Sequence, residues 1–178
     1  MILRKARASD VKTIASQLGK LEHAHFGYDP TTYLLKEKAG EIIRNFIDKE
    51  IRSRRSLVLV AEKNNRVIGH VHCRVQKLPP IYVFDRECFV FSLFVEKKQR
   101  KGGVGAALMD GAAEWAKRRK LPYLSLTVAE RNKAAKEVYR KLKFEKVWTK
   151  MHWKLMRHEE GIERKATAPR ASAPRTSR

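Results

Sequence analysis

Residues 89–108 constrain the fold of this chain more than any other stretch. They begin Phe89-Val90-Phe91-Ser92-Leu93-Phe94-Val95, an apolar run rich in β-branched and aromatic side chains. Such a run is a buried strand. A basic turn follows, from Glu96 to Lys101, and then Gly102-Gly103-Val104-Gly105-Ala106-Ala107-Leu108. Val104, Leu108, Gly111, Ala112 and Trp115 recur on one helical face, so a helix opens at the glycines. Strand, glycine-rich turn and helix make a phosphate site in outline. Glycine lets a ligand approach the backbone, and the first helical turn offers unpaired N–H groups and a positive dipole end. A P-loop would carry Lys-Ser/Thr after its second glycine, where Ala106-Ala107 stands. A dinucleotide fingerprint would carry a third glycine where Leu108 stands. The pattern that remains is Arg-x-x-Gly-x-Gly, as Arg100, Gly103 and Gly105.

Composition sets outer bounds. A length of 178 residues predicts one domain, and 43% hydrophobic residues can supply its core. No apolar run approaches the length of a membrane span, and the chain turns charged at Arg4 and Lys5, unlike a signal peptide. Two cysteines, Cys73 and Cys88, give neither a disulfide framework nor a zinc spacing, so a reducing cytoplasm is expected. The net charge is +21, and the five basic residues between Arg164 and Arg178 supply less than a quarter of it. A basic surface suits anionic partners, including weak nucleic-acid contact, or is simply a solvated face. No basic stripe with interleaved aromatics singles out nucleic acid.

Read in order, residues 2–6 form a short edge strand. Ser9 is the expected N-cap of a first helix buried through Val11, Ile14, Ala15 and Leu18. Residues 23–33 read as a polar-aromatic connection, and a second helix is expected from Thr31 or Thr32, with Leu35, Ala39, Ile42, Ile43, Phe46, Ile47 and Ile51 in helical period. Two strands flank Lys63-Asn64-Asn65-Arg66 as a hairpin. In its second strand Val67, Val71, Cys73 and Val75 are expected on one face, and Ile68, His70, His72 and Arg74 on a half-exposed other. His70 and His72 have the spacing of a metal pair but lack a third ligand nearby. Pro122 stops the helix after the glycine loop, and residues 123–128 form a strand parallel to the strand at Phe89. Residues 131–142 are helical, 144–149 and 151–155 read as two last strands, and the chain from Arg164 on has the composition of a disordered tail.

Several of these segments together resemble the GCN5-related N-acetyltransferase (GNAT) family. Arg100, Gly103 and Gly105 match its coenzyme A pyrophosphate loop. Leu124-x-Leu126-x-Val128 followed by Asn132, Ala135, Tyr139, Leu142 and Phe144 is similar to its second signature, with Lys143 in place of the usual glycine. The strand ending in Arg4-Lys5-Ala6, followed by Ser9-Asp10, is similar to the opening of many members. The resemblance implies a mixed α/β fold: a central, mostly antiparallel sheet splayed between strands 4 and 5, with helices on both faces. It implies a domain over residues 1–157 and a basic tail over 158–178.

The activity so implied is acetyl transfer from acetyl-coenzyme A to a primary amine, on a small molecule or on a protein lysine or N-terminus, with no metal. The pyrophosphate would meet the backbone of Arg100, Lys101, Gly102, Gly103, Val104, Gly105 and Ala106. The pantetheine arm would pair with Leu93, Phe94 and Val95, with Asn132 lining it, and an N–H such as that of Phe94 would receive the thioester oxygen. Tyr139 stands where many relatives keep a tyrosine general acid, or else packs the core. Glu87 stands where some protein-acetylating relatives carry a glutamate base, or else ends a strand in solvent. His25, Phe26, Tyr28 and Tyr33 fall in the region that borders the acceptor in the family. The alternative is a non-catalytic basic module of this fold that binds nucleic acid or ribosomes; the intact loop, Asn132 and Tyr139 argue for turnover. A homodimer is left open.

Overall fold

The computed structural model describes residues 1–153 and 155. The chain forms two units, Met1–Phe144 and Glu145–Arg178. The first holds all the regular structure among the described residues. Its strands are β1 (Ile2–Lys5), β2 (Ser56–Lys63), β3 (Arg66–Lys77), β4 (Arg86–Val95) and β5 (Leu124–Leu126). Its helices are α1 (Val11–Tyr28), α2 (Ala39–Arg52), α3 (Val104–Arg118) and α4 (Lys133–Lys141). The strands lie in one sheet in chain order, antiparallel except for the parallel pair β4–β5. That pair is parallel because α3 crosses over between its strands.

The sheet separates two cores. On one face α3 buries Leu108, Ala112, Trp115 and Ala116 against Leu57, Val71, Cys73, Cys88 and Val90. On the other, Ile14 and Leu18 of α1 and Ile47 of α2 pack on Val58 and Val60. The hairpin turn between β2 and β3 puts Asn64 and Asn65 at φ 50° and 58°, the left-handed pair that a two-residue hairpin requires.

Two irregularities decide which side chains reach the second face. The β2–β3 register slips between Ala61 and Glu62, and Ile68 is the unpaired residue. Ile68 therefore joins the α3 face and Val67 the α1/α2 face, the reverse of a strict alternation. The β3–β4 register slips between His72 and Cys73, with Phe91 unpaired. This bulge puts Phe91 and Ser92 on the same face, above the histidines of β3.

Local expectations are corrected elsewhere. The first helix begins at Val11, after a 3₁₀ turn at Ala8–Asp10. Asp10, not Ser9, carries the capping bond, accepting from the Arg7 N–H at 2.7 Å. That helix runs on to Tyr28, so His25, Phe26 and Tyr28 are helical rather than in a connection. The second helix starts only at Ala39; well before it, the Asp29 carboxylate turns the chain by accepting from the N–H groups of Thr31 and Thr32. Leu35 consequently lies outside it and is exposed. In the second unit, the described residues between Glu145 and Leu155 form no strand, against the two expected there, and Trp148, Met151 and Trp153 are exposed. The tail from Arg164 on lies outside the described residues.

Candidate active site

The loop forms as its glycines require. Lys101 and Gly103 adopt left-handed φ values of 66° and 75°. Alternation of this kind turns successive N–H groups to one side, the geometry of an anion nest. α3 starts directly afterwards, and its first bonded N–H is that of Ala107, 3.0 Å from the Gly103 carbonyl. The N–H groups of Val104, Gly105 and Ala106 have no backbone acceptor among the described residues, as expected of a first turn. A Cβ on Gly103 would meet nothing within 4 Å, so the space over the loop is open. These residues fit a diphosphate. Arg100 also braces the loop against the end of β4, its Nε donating to the Val95 carbonyl at 2.9 Å.

Behind the loop, β4 separates from β5. The two pair only at Cys88, Phe89 and Val90. From Phe91 to Val95, β4 keeps β3 on one side and has no β5 partner on the other. Leu93 and Val95 thus turn their N–H groups to an opening where an amide-bearing chain can pair, whereas Phe94, in register with the Glu96 N–H that donates to the Ile68 carbonyl, turns its backbone groups to β3, and Arg100 occupies the Val95 carbonyl. The far side of this stretch is held tightly. Gly69 opposes Val95, and a Cβ there would come 2.6 Å from the Phe94 carbonyl oxygen.

Asn132 caps α4, its side-chain oxygen accepting from the Ala135 N–H at 3.0 Å. Lys143 ends this helix in the left-handed conformation, φ 64°, and the Phe144 N–H reaches back to the Tyr139 carbonyl at 2.9 Å. Lysine therefore takes the geometry that glycine usually supplies. Tyr139 packs edge-on to Phe144, and its hydroxyl makes no hydrogen bond among the described residues. Burial pushes this phenol above its ordinary value. Glu87 is buried, 8% exposed, near the start of β4, so it is not a solvated strand end. It opposes Gln76 and shares its face with Phe89, facing away from α3.

That same face holds residues that sequence reasoning missed. His70 and His72 are fully buried, not half exposed. The Gln17 amide donates to the Val67 carbonyl, so its oxygen accepts from His70 Nδ1 at 2.9 Å, and His70 Nε2 accepts from the Ser92 hydroxyl at 3.1 Å. With both nitrogens engaged, His70 cannot pair with His72 on a metal, and burial pushes it down to about 3. Among the described residues no group of three or more His, Cys, Asp or Glu could hold a metal ion. His72 donates from Nε2 to the Glu50 carboxylate at 2.9 Å. Glu50 also accepts from the Ser56 hydroxyl at 2.6 Å and from Arg74 at 3.5 Å. Burial alone would raise Glu50, but these bonds from Ser56 and His72, with the charge of Arg74, hold it below its ordinary value. Phe91 stacks on His72 at 5.2 Å and meets Phe89 edge-on at 4.9 Å. Two buried polar atoms on this face lack a partner among the described residues, His72 Nδ1 and Ser125 Oγ. The alternation of His70, His72 and Arg74 on one side of β3 was the available signal for this cluster; Glu50 gave none.

His25 and Tyr33 come together, ring centroids 4.9 Å apart, with His25 on α1 and Tyr33 just beyond it. Burial, with Glu22 and Asp29 nearby, pushes the Tyr33 phenol up.

A parallel splay beside a left-handed glycine loop is the arrangement expected of the GNAT class. The acetyltransferase (GNAT) family pattern matches residues 20–144, well over half of the chain, and the chain belongs to that family. An uncharacterized N-acetyltransferase of Methanocaldococcus jannaschii is 35% identical over 98 residues, which cover 52% of this chain and 42% of that protein. The chain thus matches less than half the length of this relative. The BH1408 protein of Bacillus halodurans, solved as a tetramutant, superposes with a TM-score of 0.76 at 18% identity, over 87% of this chain and all of that one. A predicted acetyltransferase of Clostridium acetobutylicum, solved with acetyl-CoA, gives 0.69 at 20% identity, over 85% and 95% of the two chains. At these identities the two structures speak for the fold alone. No helix among the described residues is long and apolar enough to cross a membrane.

Proposed function

We propose that the protein transfers an acetyl group from acetyl-coenzyme A to a primary amine, small or protein-borne, in the cytoplasm. The observation that carries this reading is the joining of a left-handed nest at residues 100–106 to a β4 edge that has no β5 partner at Leu93, Phe94 and Val95. The nest takes the pyrophosphate, the β4 edge pairs with the pantetheine amides, and Asn132 lines the arm. The thioester then lies by the bulge; the Phe94 N–H expected to receive the developing oxyanion is turned to β3, and that of Leu93, which faces the opening, takes this role. Tyr139 donates a proton to the departing thiolate; its raised value keeps the phenol protonated at neutral pH. Glu87 supplies the carboxylate that meets the incoming ammonium. We place the catalytic domain at residues 1–157 and treat 158–178 as a basic tail that transfer does not need.

The test is calorimetric titration of acetyl-coenzyme A into the parent and Gly105→Glu, with a turnover screen over small amines and lysine peptides. Gly105→Glu puts a side chain and a negative charge into the nest, so affinity falls at least about tenfold, ~1.4 kcal/mol. Equal affinity in a folded variant rejects the loop assignment. Binding without turnover of any amine would favour the non-catalytic reading.

A further inference from the structure

The cluster formed by Glu50, His72 and Phe91 is not needed to explain cofactor binding, and its arrangement is specific. The Glu50 carboxylate can only accept, so His72 holds its proton on Nε2 and presents Nδ1 as a bare lone pair. The same carboxylate would stabilise the imidazolium that forms if Nδ1 takes a proton. Glu50 is fixed in turn by Ser56 and Arg74. A histidine oriented by a buried carboxylate, with its other nitrogen free, is the arrangement of a general base and its positioning residue. Fully buried polar atoms are almost always paired, and the lone pair on His72 Nδ1 has no partner among the described residues.

Its place in the fold gives that lone pair a use. His72 opposes Ser92 across the bulge, where β4 has already parted from β5. The Phe91 ring stacks on the imidazole, Phe46 meets it edge-on, and Phe91 itself is 44% exposed. Glu87 lies four residues back along β4, more than ~10 Å at the rise of a strand. We propose that His72 accepts the proton of the acceptor amine, with Glu50 as its positioning residue and Phe91 as the side chain that screens it from solvent. This rests on the acetyl-transfer reading.

Protons and electron pairs balance across the step. The ammonium gives one proton to His72 Nδ1, forming an imidazolium that still donates to Glu50. The freed nitrogen pair bonds to the thioester carbon, and the carbon–sulfur bond breaks. The thiolate takes its proton from Tyr139. The attacking nitrogen sheds its second proton, which returns through solvent to Tyr139, and His72 releases its own proton before the next cycle. The groups that set the base are few. Glu50 faces it from α2, and Arg74 and His70 lie along its own strand. Val58 on β2, Ser92 and Phe91 on β4, and Phe46 on α2 carry no charge. Burial pushes His72 below the ordinary histidine value, against the upward pull of Glu50.

The experiment uses the full chain, acetyl-coenzyme A, and two amines: spermidine and an α-acetylated lysine tripeptide. In the parent, kcat/KM falls on the acid side through a limb below the ordinary histidine value of ~6.5. Glu50→Gln removes the upward pull, so that limb moves to lower pH and kcat drops at least about tenfold, with acetyl-coenzyme A affinity unchanged. A limb that moves with Glu87→Gln but not with Glu50→Gln overturns the proposal. So does a normalised profile of Glu50→Gln that superimposes on the parent. A loss of stability alone would not move that limb. Should Glu50→Gln not fold, or neither amine turn over, nitrogen NMR of the parent decides. The proton of neutral His72 is expected on Nε2, with Nδ1 bare; a proton found on Nδ1 ends the idea. Failure of the parent to bind acetyl-coenzyme A would instead reject the transfer reading, and the tautomer would remain readable.

Discussion

The glycine loop and the histidine face stand at two ends of one run of β4, yet they are held in place differently. The loop is a local construction. Left-handed φ at Lys101 and Gly103, a helix beginning at Val104 and one bond from Arg100 to Val95 define it, all within about ten residues. The histidine face is assembled from distant parts of the chain. Gln17 meets His70 across 53 residues, Glu50 meets His72 across 22, and Ser92 meets His70 across 22. A locally built site tolerates changes elsewhere in the chain. A site built from distant polar partners fails when either partner is lost, because the survivor is left buried and unpaired.

Tyr139 joins the two kinds of construction, and its replacement has the largest expected effect. Local bonds place it: Asn132 starts its helix and Lys143 ends it. Its proposed partner, the departing thiolate, would be brought by the loop and the β4 edge. Tyr139→Phe keeps the ring against Phe144 and removes only the hydroxyl. General-acid help is worth ~10²–10⁴-fold, so turnover should fall by at least about tenfold while acetyl-coenzyme A affinity and melting temperature hold. Parental turnover from pH 6 to 9 would make Tyr139 a packing residue and leave the proton to another donor.

The next effect tests a polar corner outside catalysis, where a locally paired carboxylate shares its arginine with a distant partner. Arg4 grips Asp10 with two bonds, at 2.7 and 3.0 Å, and also holds Glu62, which lies across the sheet on β2. The Arg4 bond, the Arg7 N–H and both charges hold the Asp10 carboxyl below its ordinary value, outweighing its burial. A carboxyl lowered by folding contributes stability above its unfolded value of ~3.9 and loses it as pH falls through the lower folded value. Asp10→Asn should cost ~1–3 kcal/mol at pH 7. The gap between the two melting temperatures should close as pH drops below about 4. A gap that stays constant down to pH 2 would mean that shape, not charge, holds this corner.

The same division explains what could be read from the sequence. The loop and the Asn64-Asn65 turn depend on residue types at fixed short spacing, and each formed where that spacing put it. The helical period of α2 extends back through Leu35, but residues 33–36 take no regular structure and α2 begins only at Ala39. His70 and His72 were put on the correct side of β3, but their burial depends on α1 and α2 lying over them, which strand alternation does not reveal. Glu50 gave no signal, because its partners Ser56, His72 and Arg74 come from other elements. Only the bulge at Phe91, which no residue type announces, brings Phe91 over its histidine partner.

The smallest effect sharpens the local side of the comparison. Lys143 sits at φ 64°, at the C-terminal end of α4, where most side chains are strained and glycine is not. The left-handed conformation costs an L-residue ~1–2 kcal/mol, and glycine recovers this less the ~0.5–1 kcal/mol of extra chain entropy that it loses on folding. Lys143→Gly should therefore stabilise by ~0.5–1 kcal/mol, a rise in melting temperature of about 1–4 °C for a chain of this size. Lys143→Ala is the control. It removes the charge and stem but keeps the Cβ, so it should give none of the gain. Because the bond from the Phe144 N–H to the Tyr139 carbonyl is backbone to backbone, turnover should be unchanged in both variants. A fall in melting temperature for the glycine variant would show that the lysine side chain stabilises this turn, and that the helix end is not set by backbone conformation alone.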